Sequence, residues 1–322
     1  MRSAPYFKNA AKLYVSAKGM VIDMTIKGFF KSCAKALLYF AIYFGWQLIV
    51  VNWTSMAASV QVTSTYDPAA FSPENYETLM LEINDRVYDI IMRYSLHLTL
   101  LSGILTLLTY FIVFKARHKQ PLAEAGLTKL PIGQLPVLIA LGAALNIFIS
   151  LAITLIPFPA DWVESYSESS SVLTESGILI TLVTSVIAAP LVEEITFRGL
   201  IYSRLKQGMP MFAAMIISAW VFGMMHGTVI WFLYAALIGL LLSWIYEKYH
   251  SLTASVLVHF SFNLFGSLME LIGGMSDVAF LLMLTASGIA SVALLIFIQR
   301  NSPHKIEFSF AGNSGDQNNL LQ

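Results

Sequence analysis

Eight stretches of about twenty residues, nearly free of charge, succeed one another along this 322-residue chain, at roughly 36–53, 96–114, 134–157, 177–198, 210–226, 229–246, 252–272 and 278–299. A helix needs about 20 mainly apolar residues to cross a hydrocarbon core of roughly 30 Å. Backbone polar groups have no water to bond to there, so such stretches must satisfy their hydrogen bonds internally as helices. The expectation is an all-α, polytopic membrane bundle of about eight transmembrane helices. Charged residues are only 12% of the chain, against 57% hydrophobic, which is about half the charged share of a soluble domain.

Lys and Arg set the orientation, because they accumulate in cytoplasmic loops. With an N-terminus inside, all of the 19 Lys and Arg fall on the inner side except Arg86 and Arg93. The outer loops hold acids instead, among them Asp67, Glu74 and Glu77 in the first and Asp161, Glu164, Glu168 and Glu175 in the second. Both termini are therefore expected in the cytoplasm, in a multi-pass protein of a bacterial plasma membrane. The balanced net charge conceals this asymmetry and gives no reason to expect a nucleic-acid partner. Cys33 is the single cysteine, which leaves no intramolecular disulfide and no cysteine metal site. Some 35 residues precede the first apolar stretch, too many for the n-region of a signal peptide, so that stretch reads as an uncleaved anchor.

Four regions follow. Residues 1–35 mix aromatics with lysines and read as a cytoplasmic amphipathic segment. Residues 36–133 form a two-span anchor with an outer acidic loop. Residues 134–299 make a six-span core that contains every suspicious intramembrane polar group, with the serine-rich 158–176 as a solvated outer loop. Residues 300–322 read as a disordered cytoplasmic tail.

Ionisable side chains inside a bilayer are costly, and by default they mark a functional site. Glu193 and Glu194 stand side by side in the fourth apolar stretch, with Arg198 four residues beyond Glu194. On a helix, Glu194 and Arg198 share a face and can pair, while Glu193 is turned about 100° away, free to face a cavity. Pro190, three residues earlier, is expected to kink the helix and free a backbone carbonyl. Phe222 and His226 share one face of the fifth span, and His259 and Asn263 one face of the seventh. A carboxylate, two imidazoles and an amide from three helices can then hold a divalent metal, or move protons and stabilise an oxyanion without one. Counting along the helices puts Glu193 and Asn263 each about 20 Å from the inner boundary. His226 falls about 7 Å further out on the same count, so closure requires tilt or an interfacial run before Phe212.

The run E-E-x-x-x-R from Glu193 to Arg198, F-x-x-x-H from Phe222 to His226 and H-x-x-x-N from His259 to Asn263, in this order on separate spans, resemble the CPBP family of intramembrane proteases. That family includes the type II CAAX prenyl endopeptidases and relatives linked to bacteriocin maturation and self-immunity. The resemblance covers about residues 134–272. It implies that Glu193 with His226 activates a water, that His259 with Asn263 stabilises the tetrahedral oxyanion, and that Glu194, Arg198 and Phe222 support them. It leaves the cofactor open. Glu193, His226 and His259 suffice as ligands for zinc, yet neither histidine lies in H-E-x-x-H, and the family's catalysis is also described as glutamate-dependent without metal.

The expected function is thus an intramembrane endopeptidase that acts on a membrane-associated or lipidated peptide or protein, reached from the cytoplasmic side. The substrate and the lipid bilayer are its only implied partners. A proton-coupled transporter, with the glutamates and histidines as a relay, lacks the internal repeat common in carriers. A non-catalytic immunity scaffold that retains the cleft is the third reading.

Overall fold

The computed structural model describes residues 25–269, 274–304 and 306, and among these it contains helices and no strand. Among the described residues, seven helices are long and apolar enough to cross a membrane. In chain order the main elements are α1 (Ile26–Thr63), α2 (Tyr76–Ala116), α3 (Leu135–Ile153), α4 (Ala160–Glu175), α5 (Ile178–Leu205), α6 (Met211–Met224), α7 (Val229–Tyr249), α8 (Leu252–Met269) and α9 (Asp277–Asn301). All seven long helices coincide with expected spans. The remaining one, α6, has only 14 residues, or about 21 Å of helix, and turns back before crossing a full core.

Two further departures matter. The serine-rich 158–176 is not a loop, because Ala160–Glu175 is helical. Its half-buried residues Trp162, Tyr166, Ser170 and Leu173 recur at helical spacing, a pattern that the serines between them disguise. The anchor helices are also much longer than their apolar cores. α1 has 38 residues and α2 has 41, about 57 and 61 Å of helix, so they extend beyond the bilayer as a hairpin. Val62, Leu79 and Ile83 form its small core, and Tyr66 links Glu82 (2.8 Å) to Arg86 (3.1 Å) outside it. Of the segment expected over 1–35, residues 1–24 lie outside the described residues, and Ile26–Lys35 are the first turns of α1. The expected tail is described only to residue 304 and at 306.

Each end of the bundle has its own chemistry. At one end Glu124 pairs with Lys119 and Arg204, and Lys206 with Glu247. Leu252 N–H donates to Gly126 O (3.1 Å), and His304 N–H to Lys248 O (3.3 Å). Burial alone raises the Glu124 carboxyl, but its bonds and attraction to Lys119 and Arg204 outweigh that and hold it below its ordinary value. α4 lies at the opposite end, where Thr181 Oγ1 donates to Leu173 O (2.7 Å) and the rings of Tyr166 and Trp231 meet edge to face at 5.8 Å. Between the ends, α3 and α8 pack so closely that a Cβ on Gly142 would lie 2.3 Å from Val258 O. Only glycine fits that crossing.

Candidate active site

Helix α5 changes its winding around the two glutamates. Leu182–Ala188 and Ile195–Tyr202 are π-helical, and Ala189–Glu194 between them is α-helical. π segments are rare, and they concentrate at functional sites. In the first one each N–H reaches back five residues, so that Ala189 N–H donates to Thr184 O. The next carbonyl in this register, Ser185 O, would need an N–H at residue 190, which is proline. Asn263 takes its place from α8, with Nδ2 donating to Ser185 O at 2.7 Å. Pro190 thus frees a carbonyl, as expected, and the amide of the H-x-x-x-N pair satisfies it. Asn263 keeps a second amide hydrogen and its own oxygen.

The side chains of Glu194 and Arg198 are fully buried and paired at 2.8 Å. Arg198 Nη2 also donates to Gly239 O at 2.9 Å, and its guanidinium lies 4.4 Å from the Phe222 ring centroid. Gly239 suits this contact, because a Cβ there would sit 3.0 Å from Phe222 Cδ1 and 3.2 Å from Arg198 Nη2. Glu194 Oε1 has a second partner, His259 Nδ1 at 2.9 Å. An arginine, a carboxylate and an imidazole from α5 and α8 therefore form one buried chain, which fixes the ring of His259. Its other nitrogen, Nε2, lies 3.7 Å from Glu193 Oε2, too far for a direct hydrogen bond but close enough for both atoms to contact one water. The imidazole beside Glu193 is thus that of His259.

His226 does not share a helix face with Phe222, because α6 ends at Met224. α6 itself is helical from Met211. The chain instead turns back through His226 and Gly227, the latter at φ 80°, and Thr228 caps α7. A turn at membrane depth is tolerated where it borders a cavity. His226 Nδ1 lies 2.9 Å from Phe222 O; a carbonyl can only accept, so Nδ1 carries the hydrogen and Nε2 is left as an acceptor. Phe222 is 1% exposed, and its ring contacts His226 at 4.8 Å and His259 at 5.8 Å, edge to face.

Glu193, His226, His259 and Asn263 all line one cavity of about 450 Å³. Its wall also includes Thr99, Asn146, Ser150 and Ser185, with Tyr166 of α4 beside Trp231. The wall mixes these polar groups with apolar side chains such as Ile238 and Phe262, and the space is ample for several waters, each occupying about 30 Å³. Asn146 belongs to no spacing motif, yet it is a lone amide in the apolar α3, a signal of the kind that marked Glu193. It is 95% buried, since its exposure is 5%, and Ser150 Oγ donates to its Oδ1 at 3.4 Å. A narrower crevice of about 80 Å³ between α1, α2 and α5 also reaches Glu193, past Tyr43, Gln47 and Gly103.

A metal would need Glu193, His226 and His259 to converge. Among the described residues no three His, Cys, Asp or Glu side chains do so. His226 and His259 each donate Nδ1–H to a protein oxygen, which leaves Nε2 of both free, as it also is in histidines that bind metals; only the spacing of the three side chains as they stand falls short of a ligand cluster.

Residues 175–265 match the model of the type II CAAX prenyl endopeptidase Rce1-like family. The matched stretch begins at the end of α4 and includes both glutamates, Arg198, Phe222 and the two histidines with Asn263. No curated protein and no solved structure matches the chain.

Proposed function

We propose that this membrane protein hydrolyses a peptide bond in a membrane-associated substrate, with Glu193 as the base; the match of residues 175–265 to the model of the type II CAAX prenyl endopeptidase Rce1-like family supports this reading. The observation that carries this reading is the meeting of Glu193, His226, His259 and Asn263 around one cavity within the bundle.

The scissile carbonyl lies among these four groups. Glu193 takes a proton from a water whose other hydrogen is accepted by His226 Nε2, and the water oxygen attacks the carbonyl carbon. The carbonyl π electrons move to oxygen. Asn263, through its second amide hydrogen, and His259, protonated on Nε2 and held by Glu194 at Nδ1, face that oxyanion. The tetrahedral carbon then reforms its carbonyl and expels the amine, which takes the proton held on Glu193. One water is consumed, an acid and an amine leave, and Glu193 returns as a carboxylate. The low-dielectric surroundings strengthen each of these interactions.

The test is turnover of a hydrophobic peptide by purified protein in liposomes. E193Q keeps the size and hydrogen bonding of the side chain but cannot accept the proton. It is expected to lower the rate by at least the 10²- to 10⁴-fold typical of a lost general base, with thermal stability unchanged. Wild-type turnover in E193Q rules this reading out. A strong chelator is expected to leave the wild-type rate unchanged; a loss restored by added zinc would overturn the metal-independent route.

A further inference from the structure

We infer that the cavity is served from the non-cytoplasmic face, beneath α4, and that its substrate is a polypeptide segment exposed on that face rather than a lipidated terminus displayed in the cytoplasm. The substrate clause rests on the endopeptidase reading; the route to the cavity does not.

The cavity is a cup open toward one end. Helix α5 runs from the α4 end to the basic end, and none of its wall residues lies past Glu193. Helix α8 runs the other way and contributes only from His259 onward. Below that level the bundle is dry and closed: Phe197, Leu200, Leu242 and Val258 are at most 1% exposed, and Glu194 and Arg198 are wholly buried. The mouth is covered by α4, whose Tyr166, Ser170 and Leu173 line the cavity. The closed end carries Arg117, Lys119, Lys129, Arg204, Lys206 and Arg300, and the excess of Lys and Arg marks the cytoplasmic end. The crevice past Tyr43 and Gln47, at about 80 Å³, is too small for a peptide, so the substrate arrives from the other side. The amide and hydroxyl groups of Asn146, Ser150, Thr99 and Ser267 around the cup suit the N–H and C=O groups of an extended peptide, and Leu151, Ile238, Phe262 and Met269 between them suit its apolar side chains.

α4 is a cover that opens. Its outer face is exposed, with Asp161, Glu164 and Glu168 in water. Gly177, at φ 90°, joins it to α5, and the Tyr166–Trp231 contact closes it over the cup.

Thiol labelling decides the route without any turnover. In full-length protein carrying C33S, single substitutions S267C in the cup, E74C at the acidic end and K129C at the basic end are exposed to a membrane-impermeant maleimide. S267C and E74C are expected to react in sealed bacterial spheroplasts, and K129C only in inverted vesicles. Reaction of S267C in inverted vesicles alone overturns the inference, as does reaction of E74C there alone. Adding Y166A or W231A is expected to speed S267C labelling several-fold; an unchanged rate overturns the cover. Labelling as expected, with no peptide cleaved from either face, would instead remove the endopeptidase reading and the substrate clause and leave the route standing.

Discussion

Glu194 is the side chain on which the site is built, because two partners divide one carboxylate oxygen. Arg198 neutralises it, and His259 is oriented by it. Removing one member of a buried ion pair strands a charge and costs about 3–5 kcal/mol, whereas replacing both with apolar groups can be nearly neutral. R198M is therefore expected to be strongly destabilising, and E194M/R198M markedly less so, in denaturation of the purified protein in detergent. The double variant would still lose activity, since His259 loses its anchor. Equal stability of the two variants would contradict the pairing. Glu193 differs in kind: nothing in the fold depends on it, so its loss is expected to cost rate and not stability.

At the scale of the element, α5 owes its chemistry to a change of winding. The π turn and Pro190 together leave Ser185 O without a main-chain donor, and Asn263 supplies one across the helix interface. N263A should leave this part-buried carbonyl without its donor, at the roughly 0.5–1.5 kcal/mol of a typical hydrogen bond. P190A restores an N–H at the position that the π register requires, so N263A is expected to cost less in that background, with a coupling of about 0.5 kcal/mol or more. Additive costs in detergent denaturation would refute the shared carbonyl. The crossing of α3 and α8 has a similar dependence on one position. G142V forces a side chain against Val258 O, and overpacking of this kind costs about 1–3 kcal/mol. It is also expected to impair turnover, since Val258 adjoins His259.

Across the whole molecule, stability is unevenly shared. Phe197, Leu200 and Leu242 are fully buried, while α4 rests on the bundle along one half-buried face. Regions with few buried apolar contacts open at lower free energy. Hydrogen exchange is expected to be fast over Ala160–Glu175 and slow over α8, and a bound peptide should protect α4. Uniform protection across both would show α4 to be an integral part of the wall.

Much of this was legible in the residues alone. Apolar length located the seven crossing helices, because lipid leaves the backbone no other solution. The burial cost of charge pointed to Glu193, Glu194 and Arg198, and helical spacing paired the last two. Composition misled at 158–176, where serines hide an amphipathic pattern, and a count of residues along straight helices could not anticipate that α6 stops at Met224. The motifs named His226, His259 and Asn263, but not their neighbours: that His259 stands beside Glu193, that Asn263 caps Ser185 O, and that Asn146 completes the wall. Sequence determines which groups are too costly to bury without a purpose, since that cost is local. Which of them meet, and toward which end their cavity opens, depends on helix register, tilt and close crossings, and these arise only when the helices pack.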